Sequence, residues 1–69
     1  MRAQYSGRVA TFDDHRGRGE VEARGGLRFP FHCTAIADGT RSIDVGAEVE
    51  FAVAPGAGGR WQAAEIERR

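Results

Sequence analysis

Apolar and polar side chains alternate along most of this sequence, with the two-residue period of a β-strand whose two faces differ. The alternation predicts strands over residues 5–12, 18–23, 27–32, 45–54 and 60–68. The segments between them are rich in residues that favour turns. Over residues 33–44 the alternation is lost, and we predict a short helical turn followed by a turn at Asp38–Gly39. Five short strands predict an all-β domain, either a sandwich or a small barrel.

The same period assigns side chains to a core face or to a solvent face. We expect a buried core of Val9, Val21, Phe29, Phe31, Ile36, Val49, Phe51, Val53 and Ile66. Leu27 has the same inward parity as Phe29, whereas Arg18, Glu20 and His32 are expected to face solvent. Pro30 has no N–H to donate to a neighbouring strand, so its strand is predicted at a sheet edge or beside a bulge.

The stretch "RGRGEVEA", residues 16–23, is unusual for a strand. Gly17 and Gly19 are spaced as in a strand that bends sharply or lets another backbone approach. The charged Arg18, Glu20 and Glu22 are predicted to point outward. This strand therefore presents a charged surface beside its glycines.

Composition limits the class of protein further. The chain has 69 residues, enough for a single domain over residues 1–69, and ten acidic residues balance ten basic ones, all of them Arg. A zero net charge creates no overall electrostatic field that would attract nucleic acid or a membrane. Cys33 is the only cysteine, and residues 1–10 lack an apolar signal core. We therefore expect a cytoplasmic protein without a disulfide.

Three segments resemble the motifs of bacterial cold-shock domains. "GRVATFDDHRGRGEV" is similar to G-K-V-K-W-F-N-x-x-K-G-F-G-F-I, "FPFHCTAI" to V-F-V-H-F-S-A-I, and "DGTRSIDVGAEVEFAV" to D-G-F-R-S-L-x-x-G-Q-x-V-x-F-x-V. The resemblance covers about residues 7–66 without insertion or deletion. It implies a five-stranded antiparallel OB-fold barrel of cold-shock type, a fold that binds single-stranded nucleic acid.

The residues that this family uses to stack on bases are largely replaced. The exposed aromatic positions of the family are occupied here by Thr11, Arg18, Glu20, Pro30, Cys33 and Thr40. The resemblance together with the basic residues implies nucleic-acid binding by Arg8, Phe12, Arg16, Arg18, Arg28 and His32. Each lost base–aromatic stack removes about 1–3 kcal/mol. We therefore predict weak, salt-sensitive binding of single-stranded RNA or DNA.

Several of these residues have a second interpretation. Arg16, Arg18 and Arg28 either follow a phosphate backbone or form ion pairs with Glu20 and Glu22 across the strands.

Aromatic and imidazole side chains are equally open to two interpretations. Phe12 either stacks on a base or packs at the barrel rim, and His32 either contacts nucleic acid or is an ordinary surface histidine. For Trp61 the first interpretation is packing, in the core or at the barrel end. The second is that it is a relocated stacking residue.

No constellation of catalytic or metal-binding residues is evident. His32 and Cys33 are adjacent, so on a strand they point to opposite faces, whereas zinc requires about four converging ligands. Asp13, Asp14 and His15 are ordinary residues for a hairpin turn. We predict no enzymatic activity, no metal and no cofactor.

Two functions remain open. The first is weak, low-specificity binding of single-stranded RNA or DNA by a monomer or weak dimer, with no role at a membrane. The second is a barrel that acts as a protein-interaction or regulatory module, in which the charged sheet contacts a protein partner.

Overall fold

The chain forms one antiparallel sheet of five strands in a computed structural model, which describes residues 4–69. The strands are β1 (Tyr5–Asp13), β2 (Arg18–Ala23), β3 (Arg28–His32), β4 (Glu48–Pro55) and β5 (Trp61–Arg68). Their order across the sheet is β3-β2-β1-β4-β5, and every neighbouring pair is antiparallel. Short 3-10 turns at Cys33–Ala35 and Ala57–Gly59 complete the structure. All five predicted strands and the predicted helical turn after β3 are confirmed.

The two edge strands, β3 and β5, approach each other without a hydrogen-bonded ladder between them. Ile36, just after β3, forms a parallel bridge with Ile66 of β5. The Ala37 N–H donates to the Ile66 carbonyl at 2.8 Å. The sheet therefore curls into a barrel with an open seam between β3 and β5. The predicted edge position of Pro30 is confirmed. Within residues 4–69 no helix is long and apolar enough to span a membrane.

The core lies on the concave side of this curled sheet. Its buried side chains are Val9, Val21, Ala23, Phe31, Ile36, Ile43, Val49, Phe51, Ala52, Ala63 and Ile66. Among the predicted core residues only Phe29 and Val53 are not fully buried, and both pack against the cluster. The inward and outward faces of the central strands are therefore as predicted, with Arg18 and His32 exposed and Glu20 partly exposed.

The predicted inward position of Leu27 is wrong, and it falls where the regular sheet ends. Leu27 is 69% exposed because it precedes β3, in the turn after β2, where no strand covers it. The register between β4 and β5 shifts between Glu50 and Ala52, where β4 advances two residues and β5 advances three, so the extra residue lies on β5. Beside this shift Ala52 is buried, and Val53 is half-buried against the core cluster.

The two glycines of "RGRGEVEA" serve the two purposes that their spacing suggests. Gly17 has a φ of +66°, which allows the tight turn before β2. Gly19 has no room for a side chain, because a Cβ there would overlap the carbonyl oxygen of Thr11 and lie 3.0 Å from ring atoms of Phe12 and Phe31. The register between β1 and β2 shifts beside this point, between Val9 and Thr11. Gly19 thus lets β1 bend closely over β2.

A polar network connects the end of β5 to the loop at residues 38–42. The Asp38 carboxylate accepts hydrogen bonds from the Thr40 N–H at 3.0 Å and the Thr40 hydroxyl at 2.7 Å, and forms an ion pair with Arg68. The Arg68 guanidinium also donates to the Ser42 carbonyl at 2.8 Å. The Thr40 hydrogen bonds are the main cause of the lowered pKa of Asp38, and the Arg68 charge adds to it.

We predict that Asp38→Asn destabilises the protein at neutral pH but not in strong acid. Because folding lowers the pKa of Asp38, these contacts stabilise the fold above the unfolded-state pKa of about 3.9. Their contribution is lost as the pH falls through the folded-state pKa. Urea unfolding at neutral pH and near pH 2 measures the free energy of unfolding of both proteins under each condition. Asp44→Asn, two residues after this loop, is the control, and an equal deficit for Asp38→Asn at both pH values would contradict the prediction.

Candidate nucleic-acid interface

The convex side of β1, β2 and β3 presents three rows of side chains that cross the strands. Residues directly opposite in neighbouring strands share a face of the sheet. The rows are Arg8–Glu22–Arg28, Thr11–Glu20–Pro30 and Asp13–Arg18–His32. We call these nine residues the three-strand face. It brings together four of the predicted site residues, namely Arg8, Arg18, Arg28 and His32, and all four are exposed.

Ion pairing on this face involves one of the three arginines. The Arg28 guanidinium lies 3.5 Å from the Glu20 carboxylate and 3.9 Å from that of Glu22. For Arg28 the ion-pair interpretation is therefore correct, although exposed pairs of this kind contribute little stability. No carboxylate of residues 4–69 lies within ion-pair distance of Arg16 or Arg18. Those two guanidinium groups stay available for a phosphate or a base.

Phe12 belongs to the opposite side of the sheet. It pairs with Gly19, which in turn pairs with the buried Phe31. The Phe12 and Phe31 rings stack with centroids 5.8 Å apart and an angle of 12° between their planes. Phe12 is half-buried against the core, which agrees with the rim-packing interpretation. The predicted binding residue Phe12 is thus separated from the three-strand face.

His32 is held by the turn that follows it. Its Nδ1 atom lies 3.3 Å from the Thr34 N–H, which donates to it, and 3.0 Å from the Thr34 hydroxyl. The exposed ring therefore has a defined position at the end of β3. Cys33 is half-buried, and its Sγ lies 3.8 Å from the same Nδ1 atom. Arg16 lies outside the face, in the β1–β2 turn, where its backbone N–H donates to the Asp13 carboxylate at 3.3 Å.

A cavity of about 270 Å³ crosses the seam between β3 and β5. Arg18 and His32 line it from the three-strand face, and Arg60 and Gln62 line it from the start of β5. The sequence does not point to Arg60 or Gln62, because nothing in their local pattern places them beside β3. Only the curl of the sheet does so. The cavity extends the basic surface past the edge of β3.

Trp61 contradicts the prediction that it packs in the core or closes the barrel. Its side chain is 59% exposed, and no ring contact to it is found in the described part of the chain. The physical reason is its place at the first position of β5, opposite Pro55, where the β4–β5 ladder ends. The alternative, a relocated stacking residue, stays a prediction.

Comparison with known proteins agrees with this geometry. The solved structure of "drosophila Unr CSD456" matches with a TM-score of 0.81 and 30% sequence identity, covering 99% of this chain and 27% of that chain. The chain thus corresponds to 27% of that neighbour's length. No curated protein matches. The family model of the 'Cold-shock' DNA-binding domain matches residues 5–68. The chain therefore belongs to the cold-shock domain family, a nucleic-acid-binding family with a five-stranded OB fold.

Proposed function

We propose that this domain binds single-stranded RNA or DNA weakly and mainly through the sugar–phosphate backbone. The observation that supports this proposal is the composition of the three-strand face, which carries three arginines but no phenylalanine, tyrosine or tryptophan. Arg8, Arg18 and Arg28 are exposed on it, and Arg16 and Arg60 flank it. Guanidinium groups contact phosphates and stack on bases. Backbone contacts of this kind carry little sequence information.

The electrostatics of the face explain why we expect the binding to be weak. Its three arginines are balanced by the carboxylates of Asp13, Glu20 and Glu22. A phosphate that approaches Arg28 also meets the two carboxylates beside it. Without aromatic stacking, the binding free energy loses about 1–3 kcal/mol for each base. Fluorescence-anisotropy titration with short pyrimidine-rich and mixed oligonucleotides at two salt concentrations tests the proposal.

Salt dependence provides a quantitative test. If Arg16, Arg18 and Arg28 each contact one phosphate, the slope of log affinity against log salt is about −2 for a single strand. Replacing Arg18 by Gln then reduces the magnitude of the slope by about 0.7. Arg24→Gln is the matched control, because Arg24 lies past the opposite end of β2 from Arg18. Tight binding that ignores salt would contradict the proposal.

The second candidate function, a protein-interaction or regulatory module, has one observation in its favour. Arg28 lies between two carboxylates, so part of the face is already neutralised without nucleic acid. A surface of alternating charges is suited to a partner of complementary pattern. Failure to bind any oligonucleotide at low salt would favour this candidate. In either case we place the domain in the cytoplasm.

A further inference from the structure

We propose that Glu20 gives this face a preference for guanine at one position of the bound strand. The proposal rests on the proposed function and deepens it, because it adds one base contact to binding that otherwise follows the backbone. Its basis is the position of a carboxylate at the centre of the three-strand face, where a base edge can reach it.

Glu20 occupies the middle of the central row. Its cross-strand neighbours are Thr11 and Pro30, which carry no charge and have short side chains. The Glu20 side chain is 45% exposed. Its carboxylate has one ion-pair contact, at 3.5 Å to Arg28, and no hydrogen bond within residues 4–69. Arg28 thus orients the Glu20 carboxylate from one side, and the rest of the carboxylate is accessible to a ligand.

Glu22 is less suited to the same role. It lies between Arg8 and Arg28 in its row, so both neighbours are cations. Its side chain is 29% exposed, against 45% for Glu20. A base edge that approaches Glu22 meets cations on both sides, whereas one that approaches Glu20 meets a single cation, Arg28, at 3.5 Å. The two glutamates therefore form a matched pair with the same charge and different accessibility.

The chemistry of the bases selects guanine. A carboxylate only accepts hydrogen bonds, and it accepts two at once when two donors lie side by side. The Watson–Crick edge of guanine offers N1–H and the N2 amino group next to each other. Cytosine and adenine offer one amino group beside an acceptor nitrogen, and uracil offers one N–H between two carbonyls. The acceptors of these three bases repel the carboxylate. Unpaired bases in single strands expose this edge.

The test uses short oligouridines with one central guanosine, adenosine, cytidine, uridine or inosine. We expect guanosine to bind at least about fivefold tighter than adenosine or uridine, the low end for a bidentate base contact. Inosine keeps N1–H but lacks the N2 amino group, so it is expected to lose most of this preference. Glu20→Gln should abolish the preference and tighten binding of plain oligouridine. Glu22→Gln makes the same charge change and should keep the preference.

Each outcome bears on one claim. Equal binding of all five oligonucleotides by the unmodified protein overturns the guanine contact and leaves the proposed function standing. A preference that survives in Glu20→Gln, or inosine binding as tightly as guanosine, also overturns it. Absence of binding to every oligonucleotide at low salt overturns the proposed function itself. Circular dichroism of both glutamine variants checks that the fold is unchanged.

Discussion

The double variant Glu20→Phe/Cys33→Phe is expected to bind a short pyrimidine strand at least about ten times tighter than the unmodified protein. Glu20→Phe removes a carboxylate that repels phosphate and adds one π-face at the centre of the three-strand face. A single base–aromatic stack contributes about 1–3 kcal/mol, so tenfold is a low estimate for two sites. The Glu20 side chain is 45% exposed, which leaves space for a ring.

Cys33 requires more care than the sequence suggested. It is half-buried and packs against the core, so it is not a fully solvent-facing position. Thermal unfolding of the double variant therefore accompanies the titration, and Glu20→Phe alone provides the variant with the smaller structural change. Glu67→Phe, on β5 and outside the face, is the control for a phenylalanine that replaces an exposed glutamate. Sub-micromolar binding by the unmodified protein, with no gain in the double variant, would contradict the loss of the stacking surface.

Gly19→Ala is expected to destabilise the fold by about 3 kcal/mol, at the upper end for an added methyl group in a packed site. The new Cβ would overlap the Thr11 carbonyl oxygen, and the Phe12 and Phe31 ring atoms 3.0 Å away leave it no alternative position. The backbone of β1 or β2 must therefore move to accommodate the new methyl group. For a domain of this size the melting temperature would fall by about 12–24 °C. Differential scanning calorimetry or urea unfolding measures the change.

Gly58→Ala is the control for this substitution. Gly58 has a positive φ of 73°, and a Cβ there meets no atom within 4 Å. The alanine is expected to cost only the conformational strain, about 1 kcal/mol. If both variants lost the same stability, the close approach of β1 to β2 at Gly19 would have no energetic consequence.

Prediction from sequence succeeded where the two-residue period is unbroken. The bounds of β2 and the inward positions of Val9, Val21 and Phe51 follow from alternation, because successive side chains of a strand point to opposite faces. The prediction failed at Leu27, just before β3 begins, and at Trp61, where β5 begins. At such places the exposure of a side chain depends on which strand lies opposite, and local pattern does not contain that information.

The sequence by itself determined that Arg18, Glu20 and Pro30 lie on one face of the sheet, since residue identity and strand period suffice to assign them to it. Tertiary structure alone decided that Arg28, and not Arg18, forms ion pairs with the neighbouring carboxylates. It also placed Arg60 beside the face. The physical reason is that pairing register and sheet curvature set distances between residues that are far apart along the chain.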